Sequence, residues 1–421
     1  GRGGMHVRGQ SSSGFPKKQY AWETWNNEDE DKDVSILGMP RESDWILHAP
    51  YSDKTLLRNV LVYELARDLY GDGGGMRAQF VELFMNVDGG SVSMSDYRGV
   101  YVVMEKIKRD GDRVDVEKLC DKVTDPALIT GGYIFKKDKP PHSQAWSTAV
   151  EGVPLDTHVP NQLNAAQFGY LTTYVDSFET ALHGDSFRDP NTGYAAYIDV
   201  PSFIDNHLFV EWFKEIDGYR ISQYFSKDRD EKIRALPIWD YNLALGNANY
   251  LGGQNPIGWY YPQLSGTNYY WYDRLFEDPE FELVYWDRFW AHRRSMFADA
   301  TLLAKIDAHD ANLDAPNTSG ESAATRNFDR WDILGSYVWP NADDSDLRTT
   351  HQSEVDWMKG WLMTRMTWIE TQSRGTGGIA RPPTFNQYGG NVMAGFSLTM
   401  TDPNAWPGGD VYYTTDGGDP R

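Results

Sequence analysis

Two acids stand where this chain could do chemistry. The stretch "PIWDYNLALGNANY", Pro237 to Tyr250, closes an apolar run with Trp239 and Asp240 and follows it with Asn242, Gly246, Asn247 and Asn249. A carboxylate at the end of an apolar strand, with an amide two residues on and facing the same way, can hold a hard cation at the mouth of a cleft. Asp, Asn and Gly are also turn residues, and a plain turn accounts for the same letters. The second acid, Asp217, lies with Glu215 and Arg220 at the end of "PSFIDNHLFVEWFKEIDGYR". An acid at a helix C-terminus opposes the macrodipole, a local cost that a functional demand would justify. Upstream, Arg8, Gly9, Gln10, Ser11, Ser12, Ser13 and Gly14 precede Lys17 and Lys18. The hydroxyls, amides and cations of such a loop can cradle phosphates. The GxxxxGK[ST] spacing is missing, so a solvated loop is the competing reading. In "YVVMEKIK", strand alternation puts Glu105 and Lys106 on opposite faces, and an inward charge needs a partner.

Combined, these pieces suit phosphoryl transfer, which needs cations and amides at the phosphates, a carboxylate to orient the attacking hydroxyl, and oxygen ligands for Mg²⁺. Asp217 as base and Asp240 as metal ligand would supply the carboxylates. Other chemistries have less support: the nine histidines show no close ligand pairing, "HLFVEW" is not HExxH, and no serine sits in GxSxG.

These groups need elements to hold them. "SDKTLLRNVLVYELARDLYG" reads as an amphipathic helix capped by Ser52 and stopped by Gly71. "AQFVELFMNVDGG" and "YRGVYVVMEKIKRD" read as a hairpin, and "GGYIFKKDK" as a further strand. A Pro-bearing loop or insertion over residues 140–161 leads to helical spacing from Ala165 to Leu182. "SQYFSKDRDEKIRALPIWDY" forms a second hairpin, which makes Asp240 the end of a buried strand. Residues 278–373 are mostly helical. "SRGTGGIARPP" is a linker by composition, and the remaining residues are short strands and turns.

The chain's 421 residues, 40% apolar and 14% aromatic, suffice for a large core in two or three domains. A net charge of −21 disfavours nucleic acid and anionic membranes as partners. Cys120 is the only cysteine, which excludes an intrachain disulfide and a Cys-based zinc site. No apolar run reaches about 18 residues, the length of a membrane span. The start at Gly1 reads as a fragment or a processed form.

The order of motifs resembles the CotH family, the spore-coat-type atypical protein kinases. The matching pieces are "VRGQSSSGFPKKQY", "ILGMPRESDWILHAPYSDKTLLRN", "AQFVELFMN", "YRGVYVVMEKIKRDGDRVDV", "TGGYIFKKD", "EIDGYRISQYFSKDRD" and "PIWDYNLALGNAN". The later "RNFDRW" and "GWLMTRMTWI" also fit, and the likeness covers roughly residues 5–372. The tail "VYYTTDGGDPR" resembles a chitobiase-type β-domain. The resemblance implies an α+β, two-lobed, atypical protein-kinase-like fold over 1–372. Its N-lobe would span about 1–139 and its helical C-lobe about 162–372. A linker over 373–383 and a partial all-β domain over 384–421 would follow.

The resemblance also implies ATP with Mg²⁺ or Mn²⁺ as cofactors and Ser/Thr of surface or coat proteins as substrates. It carries ATP binding to Arg8, Ser11, Ser12, Ser13 and Lys18, with Glu105 as the ion-pair partner of Lys18 and Lys17 as its rival. Asp217 falls on the catalytic aspartate, Asp240 on the metal-binding one, and Asn242 on a second metal ligand. Glu215 departs from the family's Asn, and adds either a charge that weakens nucleotide binding or a further ligand. The resemblance further implies a secreted or surface-exposed bacterial protein. The competing functions are an inactive CotH-like scaffold or carbohydrate-associated surface protein, favoured by the aromatic excess and the β-tail, and a metal-dependent hydrolase using the same acids.

Overall fold

The computed structural model describes residues 1–373, 383–388, 390–403 and 411–415. Its elements in chain order are β1 (Arg2–Arg8), β2 (Gln19–Trp25), β3 (Asp44–His48), α1 (Arg58–Tyr70), β4 (Ala78–Phe84), β5 (Tyr97–Glu105), β6 (Tyr133–Lys137), β7 (Ala145–Ser147) and β8 (Pro154–Val159). They continue with α2 (Ala165–His183), α3 (Val200–Phe213), β9 (Gln223–Lys227), β10 (Ile233–Arg234), α4 (Tyr272–Leu275), α5 (Pro279–Arg293), α6 (Asp299–Asp314), α7 (Ala323–Arg330), α8 (His351–Gln372), β11 (Thr384–Phe385) and β12 (Met400–Thr401). The fold is mixed α+β, with two five-stranded antiparallel sheets ordered β1-β2-β3-β5-β4 and β10-β9-β6-β8-β7.

The first sheet is apolar on both faces at its centre, because alternate residues serve different cores. Ile46, Val100, Val102 and Met104 enter the main core, whereas Trp45, Leu47, Tyr101 and Val103 form a smaller cluster on the other side. The register Leu47↔Val103 and Ile46↔Met104 keeps like faces together. The main core continues without a break from this sheet through the second one into the helices. α3 lies at its centre and is buried along nearly its whole length, which is why its apolar residues show no amphipathic stripe.

Several elements differ from the sequence reading. Residues 140–161 contain β7 and β8 rather than a loop alone. α1 starts at Arg58, not near Ser52; its N-cap, Leu57, makes no side-chain capping bond, and the free Arg58 amide donates instead to Asp53 Oδ2 at 3.0 Å, while Asp53 Oδ1 accepts from the Thr55 amide at 3.2 Å. Gly71, at φ 68°, ends it as expected. Most of the 373–383 linker and much of the 384–421 tail lie outside the described residues; the tail's described part includes the β11–β12 pair.

Candidate active site

Asp217 is placed by the way α3 stops. Lys214 turns left-handed (φ 47°, ψ 56°), and the Glu215 amide returns to the Val210 carbonyl at 3.0 Å. Asp217 therefore lies in the turn beyond the helix rather than at its end. Its own carbonyl accepts from the amides of Arg220 at 3.1 Å and Ile221 at 2.9 Å, which fixes the turn.

Asp240 is not at a strand end. Residues 235–239 belong to no strand, and their backbone bonds go elsewhere. The Ala235 amide donates to Ser202 Oγ at 3.2 Å and the Ile238 amide to the Gly74 carbonyl at 3.0 Å. Asp240 then adopts the left-handed conformation (φ 66°, ψ 56°) and leads into a one-turn 3₁₀ segment, Tyr241–Leu243. α1 holds this corner. Tyr63 stacks on Trp239 with ring centroids 5.8 Å apart, and its hydroxyl accepts from the Asp240 amide at 3.0 Å. Arg58 donates to the carbonyls of Ala244 at 2.9 Å and Leu245 at 3.1 Å.

Both acids face one cleft of about 630 Å³ between the sheets. Arg8, Ser11, Ser12 and Asn242 line it too, so it gathers six of the nine residues singled out from the sequence. Gln10 reaches across and donates to the Pro140 carbonyl, joining the N-terminal loop to the segment after β6. Burial pushes the Asp240 carboxyl up to about 6; Asp217 adds to the rise and Arg8 opposes it. Burial also raises Asp217, against the pull of Lys139 and Arg220, whose guanidinium lies 3.6 Å away.

Ser13, Lys18 and Glu105 are not among the lining residues. The Lys18–Glu105 ion pair does not form. Lys18 Nζ donates to the Ser13 carbonyl at 2.7 Å, closing its own loop, and the buried Glu105 is engaged by Arg77 and Arg113, each at 3.2 Å. Lys17 does not line the cleft either. It is buried, and its Nζ donates to the Val100 carbonyl at 2.6 Å and to Asn327 Oδ1 at 2.9 Å. The cations lining the cleft are Arg8, Lys136 and Lys139.

Glu215 does not enter the cleft. Burial raises its pKa well above the ordinary value, and Asp217 and Asp240 raise it further. Burial therefore favours its protonated form. Its Oε1 accepts from the Asp217 amide at 2.9 Å, and its Oε2 is buried without a partner. The side chain holds the Asp217 turn.

Sequence reasoning missed a polar chain at the back of the cleft. His48 Nδ1 lies 2.9 Å from Gln19 Oε1, and His48 Nε2 lies 3.5 Å from Asn59 Nδ2. Burial pulls His48 down to about 4, so the ring is neutral and the two side-chain amides set its tautomer. Asn59 Oδ1 is buried and unpaired. Positions 19, 48 and 59 share no local motif that could have joined them.

The donor set suits a magnesium-class ion. Asp240 and Asn242 offer hard oxygens at the cleft wall, with the second carboxylate, Asp217, lining the same cleft. A family model described as "CotH kinase protein" matches residues 5–369. No curated protein matches the chain.

Proposed function

The chain belongs to the CotH family, and from that membership we propose that it is a protein kinase that transfers the γ-phosphoryl group of ATP to a Ser or Thr hydroxyl. The observation that carries this reading is the convergence of Asp217, Asp240 and the Arg8–Ser12 loop on one cleft. Asp240 and Asn242 would hold Mg²⁺ or Mn²⁺, which when bound neutralises phosphate charge and polarises the phosphoryl group. Arg8 and Lys139 offer positive charge to the phosphates, and Ser11 and Ser12 offer hydroxyl donors. Asp217 orients the substrate hydroxyl and accepts its proton as the new O–P bond forms and the bond to ADP breaks. A carboxyl raised by burial is a better proton acceptor than an exposed one. The substrates we propose are exposed proteins of a bacterial surface or coat, reached by a secreted or surface-displayed enzyme. No helix among the described residues is long and apolar enough to cross a membrane.

The test is transfer of radiolabelled γ-phosphate to the chain itself and to a generic protein acceptor, beside calorimetric titration with ATP and Mg²⁺. Asp217→Asn should keep nucleotide affinity and lose on the order of 10² to 10⁴ in rate. Asp240→Asn should lose metal-dependent nucleotide affinity as well. Equal affinity in wild type and both variants, with no transfer by any, would overturn the kinase reading in favour of a CotH-like scaffold.

A further inference from the structure

Away from the cleft, α6 and the first turn of α8 bring together Asp310, Asp314 and His351, with one ligand atom from each lying within 4.8 Å of the others. Asp310 and Asp314 are four apart on α6 and so share a helix face. His351 Nε2 lies 3.1 Å from the Thr55 carbonyl and must donate its proton to it, since a carbonyl only accepts. In the neutral ring this leaves the Nδ1 lone pair pointing at carboxylates, 3.6 Å from Asp310 Oδ1 and 3.4 Å from Asp314 Oδ1. Nδ1 and Asp310 Oδ1 are both buried with no hydrogen-bond partner. His351 is only 8% exposed and Asp310 7%. A lone pair aimed at two carboxylates in a buried site is repulsive unless a positive charge sits between them.

A proton on Nδ1 could supply that charge, but the distances argue against it. Charge-assisted N–H···O⁻ bonds run about 2.7–2.9 Å. Ligands about 2.0–2.1 Å from a tetrahedral ion are roughly 3.4 Å apart, close to the 3.4 Å and 3.6 Å from Nδ1 to the two carboxylates. The nearby ammonium of Lys359 is engaged by Asp307 at 2.5 Å. A histidine whose second nitrogen donates to a backbone carbonyl is also the usual arrangement of a metal ligand, because that bond fixes the tautomer.

We propose that Asp310, Asp314 and His351 bind one divalent cation of the zinc class, with solvent completing the shell on the exposed Asp314 side. Neutral imidazole nitrogen with two carboxylates favours this class over Mg²⁺ and Ca²⁺, which prefer all-oxygen sites. The ion would tie α6 and α8 to the Thr55 loop that precedes α1, and so brace the helix that holds Asp240. Its role is structural and does not depend on the kinase reading.

The full chain is stripped with a chelator and titrated with Zn²⁺ alone in excess Mg²⁺. Bound metal is counted by elemental analysis, and Co²⁺ is used as a spectroscopic probe. Wild type should take up one equivalent of Zn²⁺, show the visible absorption of low-coordinate Co²⁺, and melt at a higher temperature when loaded. Asp314→Asn changes a side chain that is 42% exposed and can fold without it. It should bind Zn²⁺ at least about tenfold more weakly, as should His351→Gln, whereas Asp240→Asn should bind it like wild type. Equal affinity in wild type and Asp314→Asn, or no Zn²⁺ uptake by wild type, would overturn the proposal and leave an imidazolium between two carboxylates.

Discussion

Replacing Glu215 by glutamine separates a neutral acid from a buried charge. Two features of the structure set the size of the effect. The Glu215 carboxyl accepts the Asp217 amide at 2.9 Å, and burial raises its pKa well above 4.5. Glutamine keeps the acceptor and the volume, so near pH 5 the variant should match wild type to within about 0.5 kcal/mol. Alanine leaves the Asp217 amide unpaired in a buried turn, at a cost of about 1–3 kcal/mol before any cavity is counted. The pH dependence follows from linkage. Above pH 4.5 the unfolded chain releases this proton while the folded chain keeps it. Wild-type stability therefore falls as pH rises, by up to about 1.4 kcal/mol per unit, until the folded pKa is reached. A glutamine side chain does not titrate, so Glu215→Gln should gain on wild type as pH rises above 5, until the folded pKa is passed. Asp217 and Asp240 titrate in both proteins, so the difference between them reports position 215 together with its coupling to these two acids. Denaturant unfolding across this pH range measures it. A difference that does not grow with pH, or a glutamine variant as unstable as the alanine variant, would show that Glu215 is ionised in the fold and refute the argument.

Two further substitutions test how the interior is held. Arg365 and Glu211 are fully buried and pair at 2.9 Å, and Arg365 also donates to the carbonyls of Pro256 at 3.0 Å and Gly258 at 2.6 Å; Arg365→Ala strands the carboxylate and should cost about 3–5 kcal/mol in denaturant unfolding. Burial lowers Lys17 to about 7 from 10.5, so between those values the unfolded chain binds the extra proton and wild-type stability gains with rising pH from this group. Lys17→Met should remove that gain, and a wild-type-minus-variant stability difference that stays flat from pH 7 to pH 9 would refute the assignment.

Periodicity made the central elements legible. The β4–β5 hairpin and α2 lie where alternation or helical spacing put them, because each is long enough for its pattern to repeat. β7, with three residues, is too short for alternation to register, and its partner β8 opens on Pro154. Asp217, Asp240 and the Ser loop were visible as chemistry because they stand out by type beside apolar runs. Their ion pairs were not. Glu105 is held by Arg77, 28 residues before it, and by Arg113, on the loop after β5, and neither is announced by strand alternation. The Asp310–Asp314 spacing is plain on α6, but His351 opens α8, well downstream, and only packing brings it near. The Asp240 corner misled for a similar reason: the run looks like a sheet strand, yet its hydrogen bonds go to a serine hydroxyl and a glycine carbonyl in other parts of the chain.

The left-handed backbone at Asp240 bears on how such a protein could lose its activity over generations. Gly, Asn and Asp enter that conformation more readily than other residues. Substitution to Ala, Val or Glu would cost about 1–2 kcal/mol in folding, whatever became of the chemistry. A lineage released from the need for a carboxylate would therefore drift at this position toward Asn or Gly, both reachable from Asp codons by a single nucleotide change. Inactive descendants would keep the corner and lose the charge. This chain carries aspartate at a corner whose backbone alone would accept either neutral alternative.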